Sequence, residues 1–295
     1  MLNVISVDVE EYFHATNISS VIGPPSKHHL ASRLEQSIEK VLNIFSRLQV
    51  RGTFFILGLV AQRFPELIKK IAAEGHEVAS HGYGHELAYN LAPAQFLEDV
   101  YRTRLMLEDM IGKPVYGYRA PNFSIKEGNE WAYDKLIEAG YRYDSSCYPI
   151  WHPRYANQRR SRKPELIKRE SGCLFEFPLA VGKLNVFGRE LRLPLAGGAY
   201  WRLFPLPYLR WGLRRMQEEE PGWFTCYVHP WEFDPGQPVF AELSFLTKLR
   251  HYGRMKSFER KFERLLQSFE FGPLCEAGKQ SFGGKFLDQS PFSDD

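Results

Sequence analysis

Strand-length apolar runs that alternate with amphipathic helical stretches constrain this chain more than any other feature. Residues 2–9, 53–57, 76–80, 115–118, 141–143, 174–177 and 223–228 read as strands. Between them, 32–48 carries helical periodicity through Leu34, Ile38, Val41, Leu42 and Phe45, and 60–73 through Leu67, Ile68 and Ile71. Residues 94–111, 127–139 and 207–219 are further helical stretches. Strands that alternate with helices pack as right-handed βαβ units around a parallel sheet. About seven such units predict an α/β fold, a distorted (β/α)7-type barrel, better than a short open sheet. With 295 residues the chain can bury one such core and carry an appendage.

After Pro238 the rhythm changes. The 257–269 stretch places Phe258, Phe262, Leu265, Leu266 and Phe269 on one helical face. A helix packed on the outside of the barrel is expected there, with a membrane-surface helix as the alternative. Beyond Gly272 the Gly, Ser, Asp and Lys content suggests a frayed tail. The expected division is therefore a barrel over 1–240, a C-terminal helical extension over 241–272 and a flexible tail over 273–295.

Two stretches interrupt the pattern. The first, 148–169, concentrates Arg154, Arg159, Arg160, Arg162, Lys163, Lys168 and Arg169 against Glu165 alone. It is either a solvated loop or a seat for an anionic group such as phosphate. The second, 195–205, contains Gly197-Gly198-Ala199-Tyr200-Trp201. Its glycines allow close backbone approach, and its aromatics either line a sugar site or pack a turn.

Composition removes several classes. A net charge of +3 is too small to argue for nucleic acid. Cys147, Cys173, Cys226 and Cys275 form no CxxC pair, so free thiols in a reducing compartment are expected. The N-terminus shows no basic n-region and no long apolar h-region, and no stretch approaches the ~20 apolar residues of a membrane span. A cytoplasmic protein is the expectation, with peripheral membrane contact only if its substrate is lipid-linked.

Chemistry gathers at the predicted strand ends, the face where barrel enzymes place their catalytic groups. Strand one runs into Asp8-Val9-Glu10-Glu11, and alternation sets Asp8 and Glu10 on one side. Two carboxylates in one pocket repel unless a cation or proton lies between them. His81-Gly82-Tyr83-Gly84-His85 follows the third strand; two imidazoles and a carboxylate bind a metal while leaving positions open. Arg119, in Arg119-Ala120-Pro121-Asn122, follows the fourth strand and would need an acidic partner, for which Asp8 is the natural candidate. His229, in His229-Pro230-Trp231-Glu232, ends the last strand and could protonate a leaving group. Asp144, after another strand, either tunes that histidine or caps a helix.

Taken in order from Val4 to about Asp234, these residues resemble the polysaccharide deacetylase family, also called NodB homology or carbohydrate esterase family 4. The resemblance implies removal of N-acetyl groups from an acetamido sugar, in a polysaccharide or in a lipid- or nucleotide-linked precursor. It implies Asp8 as base, Glu10, His81 and His85 as ligands of a divalent metal (zinc first, with Co2+, Ni2+ or Mn2+ as alternatives) and Arg119 as support for the base. The N–H of Asn122, after Pro121, would help hold the oxyanion, and His229 would be the acid; Asp144, Tyr200 and Trp231 complete the expected substrate site. Asp-Val-Glu-Glu departs from the family's usual adjacent aspartates, so Glu11 stands as the other candidate ligand. That motif, Gly-Gly-Ala-Tyr-Trp, His-Pro-Trp-Glu and the C-terminal helix are similar to the branch encoded with exosortase-linked exopolysaccharide clusters. Hydrolysis of another amide, or carbohydrate binding without catalysis, are the competing functions for such a scaffold.

Overall fold

The structure, a computed structural model, describes residues 2–22, 30–150, 161–219 and 222–286. Its strands are β1 (Asn3–Val9), β2 (Thr53–Ile56), β3 (Glu77–Ser80), β4 (Gly117–Tyr118), β5 (Tyr143–Asp144), β6 (Glu165–Arg169), β7 (Gly172–Glu176), β8 (Val181–Val186), β9 (Arg189–Pro194), β10 (Thr225–Val228) and β11 (Phe271–Gly272). The helices are α1 (Thr16–Ile22), α2 (Leu34–Leu48), α3 (Gly58–Arg63), α4 (Pro65–Ala73), α5 (Pro93–Ile111), α6 (Trp131–Glu138), α7 (Ala199–Leu203), α8 (Leu206–Glu218), α9 (Phe245–Tyr252), α10 (Met255–Leu266) and α11 (Leu274–Phe282).

The main sheet runs β10-β1-β2-β3-β4-β5-β7-β6, with every pairing parallel except the β6–β7 hairpin. Just past β7, Leu179 bridges Thr225 of β10, and the Ala180 N–H donates to the Thr225 carbonyl at 2.9 Å. That bridge closes β1, β2, β3, β4, β5, β7 and β10 into a ring, the α/β barrel expected from the sequence. The distortion lies in β4 and β5, only two residues each. β1 is buried along its whole length, as a strand walled on both faces must be.

Local chemistry explains a break that periodicity missed. The helix expected over 60–73 is two helices, because Pro65 donates no N–H and forces its predecessor out of the helical region. Phe64 accordingly sits at φ −129°, ψ 57°. The 195–198 loop shows the opposite use of backbone freedom. Gly197, at φ 135°, bridges Tyr227 of β10, and a Cβ there would fall 1.8 Å from the Tyr227 carbonyl oxygen. Only glycine lets this loop lie against the strand that delivers His229.

The C-terminal region departs from expectation. α10 buries Phe258, Phe262, Leu265 and Leu266 against the barrel, Phe262 stacking near Phe45 of α2 (6.1 Å), so it is a packed helix and not a membrane-surface one. β11 then pairs with Asn3 and Val4 of β1, which makes the extension part of the sheet. The tail expected from 273 onward is, through Phe286, folded: α11 buries Leu274 and Ala277, and Phe286 stacks on Tyr143 (5.9 Å) and Phe175 (5.3 Å). Together with Phe177 and Trp223 these rings fill the barrel end where the strands begin. The Gly, Ser and Lys content hid an apolar spacing of Leu274, Ala277, Phe282 and Phe286. Residues 287–295 lie outside the described residues. Phe286→Ala should lower unfolding free energy by about 3 kcal/mol in a denaturant titration; unchanged stability would show that this plug contributes nothing.

Candidate active site

Side chains from five strand ends converge at the C-terminal mouth of the barrel. Asp8 lies on β1 and Glu10 just past it, His81 follows β3, Arg119 follows β4, Ser145 follows β5 and His229 follows β10. Ser6, Asp8 and Glu10 share one side of β1 by alternation, and all three are buried.

Arg119 is fully buried and spans the mouth. One terminal nitrogen donates to Asp8 Oδ1 at 2.6 Å and to Ser6 Oγ at 2.7 Å. The other donates to Ser145 Oγ at 2.9 Å, and Nε to the Ser145 carbonyl at 3.0 Å. Phe55 of β2 lies under the guanidinium at 4.1 Å. The Arg119 carbonyl in turn accepts His81 Nδ1–H at 2.8 Å. This fixes the His81 tautomer and leaves Nε2 with its lone pair exposed to the site.

Glu10, His81 and His85 each present a ligand atom within 4.8 Å of the others. His85 sits at φ 65°, a left-handed conformation costly for a residue with a Cβ, and is held there by the turn that brings its ring back to Glu10. His85 Nε2 lies 2.7 Å from Glu10 Oε2, yet Glu10 Oε2 makes no hydrogen bond of acceptable geometry and is buried. A buried carboxylate oxygen without a donor, beside two imidazole nitrogens, fits a cation. Burial raises the Glu10 carboxyl, but the neighbouring His85, His229 and His81 outweigh it and hold it well below the usual carboxylate range. Burial pulls His81 down to about 4, so it remains neutral and able to ligate. The neighbouring acid behaves differently. Glu11 accepts from Ser32 and from the Arg33 N–H, so it braces the entry to α2 and stays out of the cluster.

On the far wall, His229 Nδ1 bonds Glu232 Oε1 at 2.9 Å, and Glu232 is paired with buried Arg202 at 2.8 Å. Burial lowers the His229 imidazolium, but the Glu232 bond and the charges of Glu10 and Glu232 more than offset it, so its pKa is raised. His229 Nε2 points at Glu10 Oε1, 3.5 Å away. Trp231 stacks on His229 (4.8 Å) and on His251 (4.7 Å), and its Nε1–H donates to Glu10 Oε1 at 3.4 Å. Asn122 and Phe123 both hold positive φ (51° and 55°). Thr16 Oγ1 donates to Asn122 Oδ1 at 2.9 Å and anchors this strained turn.

One expectation is corrected. Asp144 does not meet His229; it accepts from the Ser146 hydroxyl (2.6 Å) and N–H (3.1 Å), and burial raises its carboxyl. Glu232 holds the place assigned to it. Tyr200 packs on Phe204 at 5.6 Å. In the basic stretch, Arg162 is paired with Glu219 and Arg169 with Asp134, while Arg154, Arg159 and Arg160 lie outside the described residues. Sequence reasoning did not single out Glu232, Arg202 or His251. A carboxylate three residues after His229 was the available signal, since that spacing closes a capping turn.

Comparison with known proteins matches this geometry to a class. Residues 25–143 match the polysaccharide deacetylase family, and residues 145–278 match a domain of unknown function (DUF3473). A peptidoglycan-N-acetylglucosamine deacetylase from Bacillus cereus is 34% identical over 120 residues, covering 39% of this chain and 40% of that protein. A peptidoglycan deacetylase from Helicobacter pylori is 30% identical over 112 residues, 38% of this chain and 37% of its own. The chain thus spans well under half the length of these curated relatives. The crystal structure of a candidate polysaccharide deacetylase from Mycobacterium smegmatis shares the fold, with a TM-score of 0.62 at 20% identity over 100% of this chain and 94% of that one. Residues 25–143 are thus similar to the polysaccharide deacetylase family, and the chain as a whole shares the fold of that solved structure. Its histidine pair lies in the segment matching that family, whereas His229, Glu232 and His251 lie in the DUF3473 segment.

The raised His229 pKa depends on Glu232, so Glu232→Gln should make the His229 ring titrate at lower pH in an NMR titration. An unmoved titration would remove Glu232 from that role.

Proposed function

We propose that this protein is a metal-dependent carbohydrate N-deacetylase that hydrolyses the acetamido group of a sugar and releases acetate. One observation carries the reading: a cluster of Glu10, His81 and His85 stands between an arginine-braced carboxylate, Asp8, and a carboxylate-braced imidazole, His229. Metal-assisted amide hydrolysis can use those three parts: a cation site, a base and an acid. The donor set of two imidazoles and one carboxylate suits zinc. Bound there, a divalent cation would supply Lewis acidity toward the amide carbonyl and acidify water.

The chain's own residues perform the rest. Asp8, aimed by Arg119, takes a proton from the attacking water. The N–H of Asn122, in the left-handed turn after Pro121, donates to the oxygen that becomes negative; one such donor typically contributes about 10²-fold or more. His229, kept protonated by Glu232, passes its proton to the departing amine, leaving acetate and a free amino sugar. Because His229 must carry its proton, activity should fall as pH rises through its raised pKa. Trp231, stacked between His229 and His251, has both ring faces covered and holds the His229 ring in place. The four free thiols support a reducing, intracellular setting. Among the described residues no helix is long and apolar enough to cross a membrane.

Asp8→Asn should retain bound metal and lose about 10²–10⁴-fold in acetate release from an N-acetylglucosamine oligomer. His81→Ala should lose metal and acetate release together. Full turnover by either variant, or by the parent protein stripped of metal, would contradict the reading.

A further inference from the structure

The helix read from sequence as amphipathic, α10, spends its apolar face on the barrel. The preceding helix, α9, does the reverse. Phe245 is 78% exposed, Leu246 74% and Leu249 52%, and Val239, on the segment that packs alongside, is 69% exposed. At 3.6 residues per turn, Phe245, Leu246 and Leu249 share one side of α9, Lys248 and Arg250 flank it, and His251 points the opposite way. The inward residue is fixed: His251 is buried, stacks on Trp231 and bonds Gln237 Oε1 at 2.9 Å. The orientation is therefore held by the active site itself, and the apolar side is turned outward. Arg202 strengthens the hold by donating to the carbonyls of Arg250 (2.9 Å) and Gly253 (2.7 Å) while it pairs with Glu232.

We propose that this face of α9 docks the protein on a lipid bilayer that carries anionic headgroups. Contiguous exposed apolar side chains rimmed by cations describe a helix lying in a membrane interface, its apolar side sunk to the acyl boundary. Charge selects that occupant. Between Val239 and Lys256 the cations are Lys248, Arg250, Arg254 and Lys256, and Glu242 is the sole acid. A second copy docked about a two-fold axis would set these cations against their own images, which is unfavourable. An anionic surface attracts them instead. The consequence deepens the deacetylase reading and rests on it: the stack His229–Trp231–His251 puts the site beside the docked face, so the acetamido sugar it serves is one carried on a lipid.

The test is co-sedimentation of the full chain with vesicles of equal parts phosphatidylglycerol and phosphatidylcholine, and with phosphatidylcholine alone. The protein should pellet with the anionic vesicles and far less with the neutral ones. Phe245→Ser/Leu246→Ser/Leu249→Ser should weaken anionic binding roughly tenfold or more, with unchanged thermal unfolding and unchanged acetate release from a water-soluble N-acetylglucosamine oligomer. Lys248→Glu/Lys256→Glu should weaken binding several-fold. No binding to anionic vesicles, or equal binding by the triple variant, overturns the docking. So does a lipid-free dimer that the triple variant disperses, since a second copy then covers the face. Vesicle binding with no acetate release from the soluble oligomer would contradict the deacetylase reading and leave the docking supported.

Discussion

The buried Arg119 guanidinium holds the catalytic mouth together. It starts at the end of a two-residue strand, too short to be anchored by its own ladder. Its side chain reaches Ser6 and Asp8 on β1 and Ser145 after β5, over Phe55 of β2, while its carbonyl takes the His81 ring after β3. Every donor it offers in these contacts meets an acceptor or an ion partner. Removing one partner of such a buried pair typically costs about 3–5 kcal/mol, because the remaining charge is left unpaired in a poor solvent. The same residue therefore orients Asp8, sets the tautomer of His81 and substitutes for the ladder that β4 and β5 lack.

The opposite wall is supported from the second half of the chain. His229 leans on Glu232, Glu232 on Arg202, and Arg202 on the carbonyls at the end of α9. Gly197 and Gly198 let the preceding loop lie directly on β10, so the strand that ends in His229 cannot shift. The extension beyond residue 240 is thus joined to the site through hydrogen bonds and to the sheet through β11. His81 and His85 come from one matched segment and His229 from the other, Asp8 and Glu10 precede both, and the mouth of the barrel is where they meet.

The barrel was legible because both periodicities are strong: apolar strand runs and 3.6-residue helical spacing do not compete in this chain. Asp8, Glu10, His81, His85, Arg119 and His229 could be picked out as candidates because each stands at or soon after a strand end. What stayed hidden was pairing between residues far apart or oddly placed. Asp144 stands after a strand as the others do, so position alone could not show that Ser146 would claim it. Glu232 was overlooked because its partner is only three residues away, closing a tight turn. Glu10 and Glu11 are indistinguishable by type, and the choice falls to Ser32 and Arg33, which draw Glu11 toward α2. The folded segment after residue 273 was masked by polar and glycine content, since its few apolar residues serve only to plug the barrel end.

The central claim is that Glu10, His81 and His85 form one cation site. X-ray absorption at the metal edge of the zinc-loaded full chain tests it most directly. The account predicts two imidazole nitrogens with oxygen completing the shell and no sulfur, since the four thiols lie elsewhere. A sulfur ligand, or a shell with fewer than two imidazoles, would contradict it.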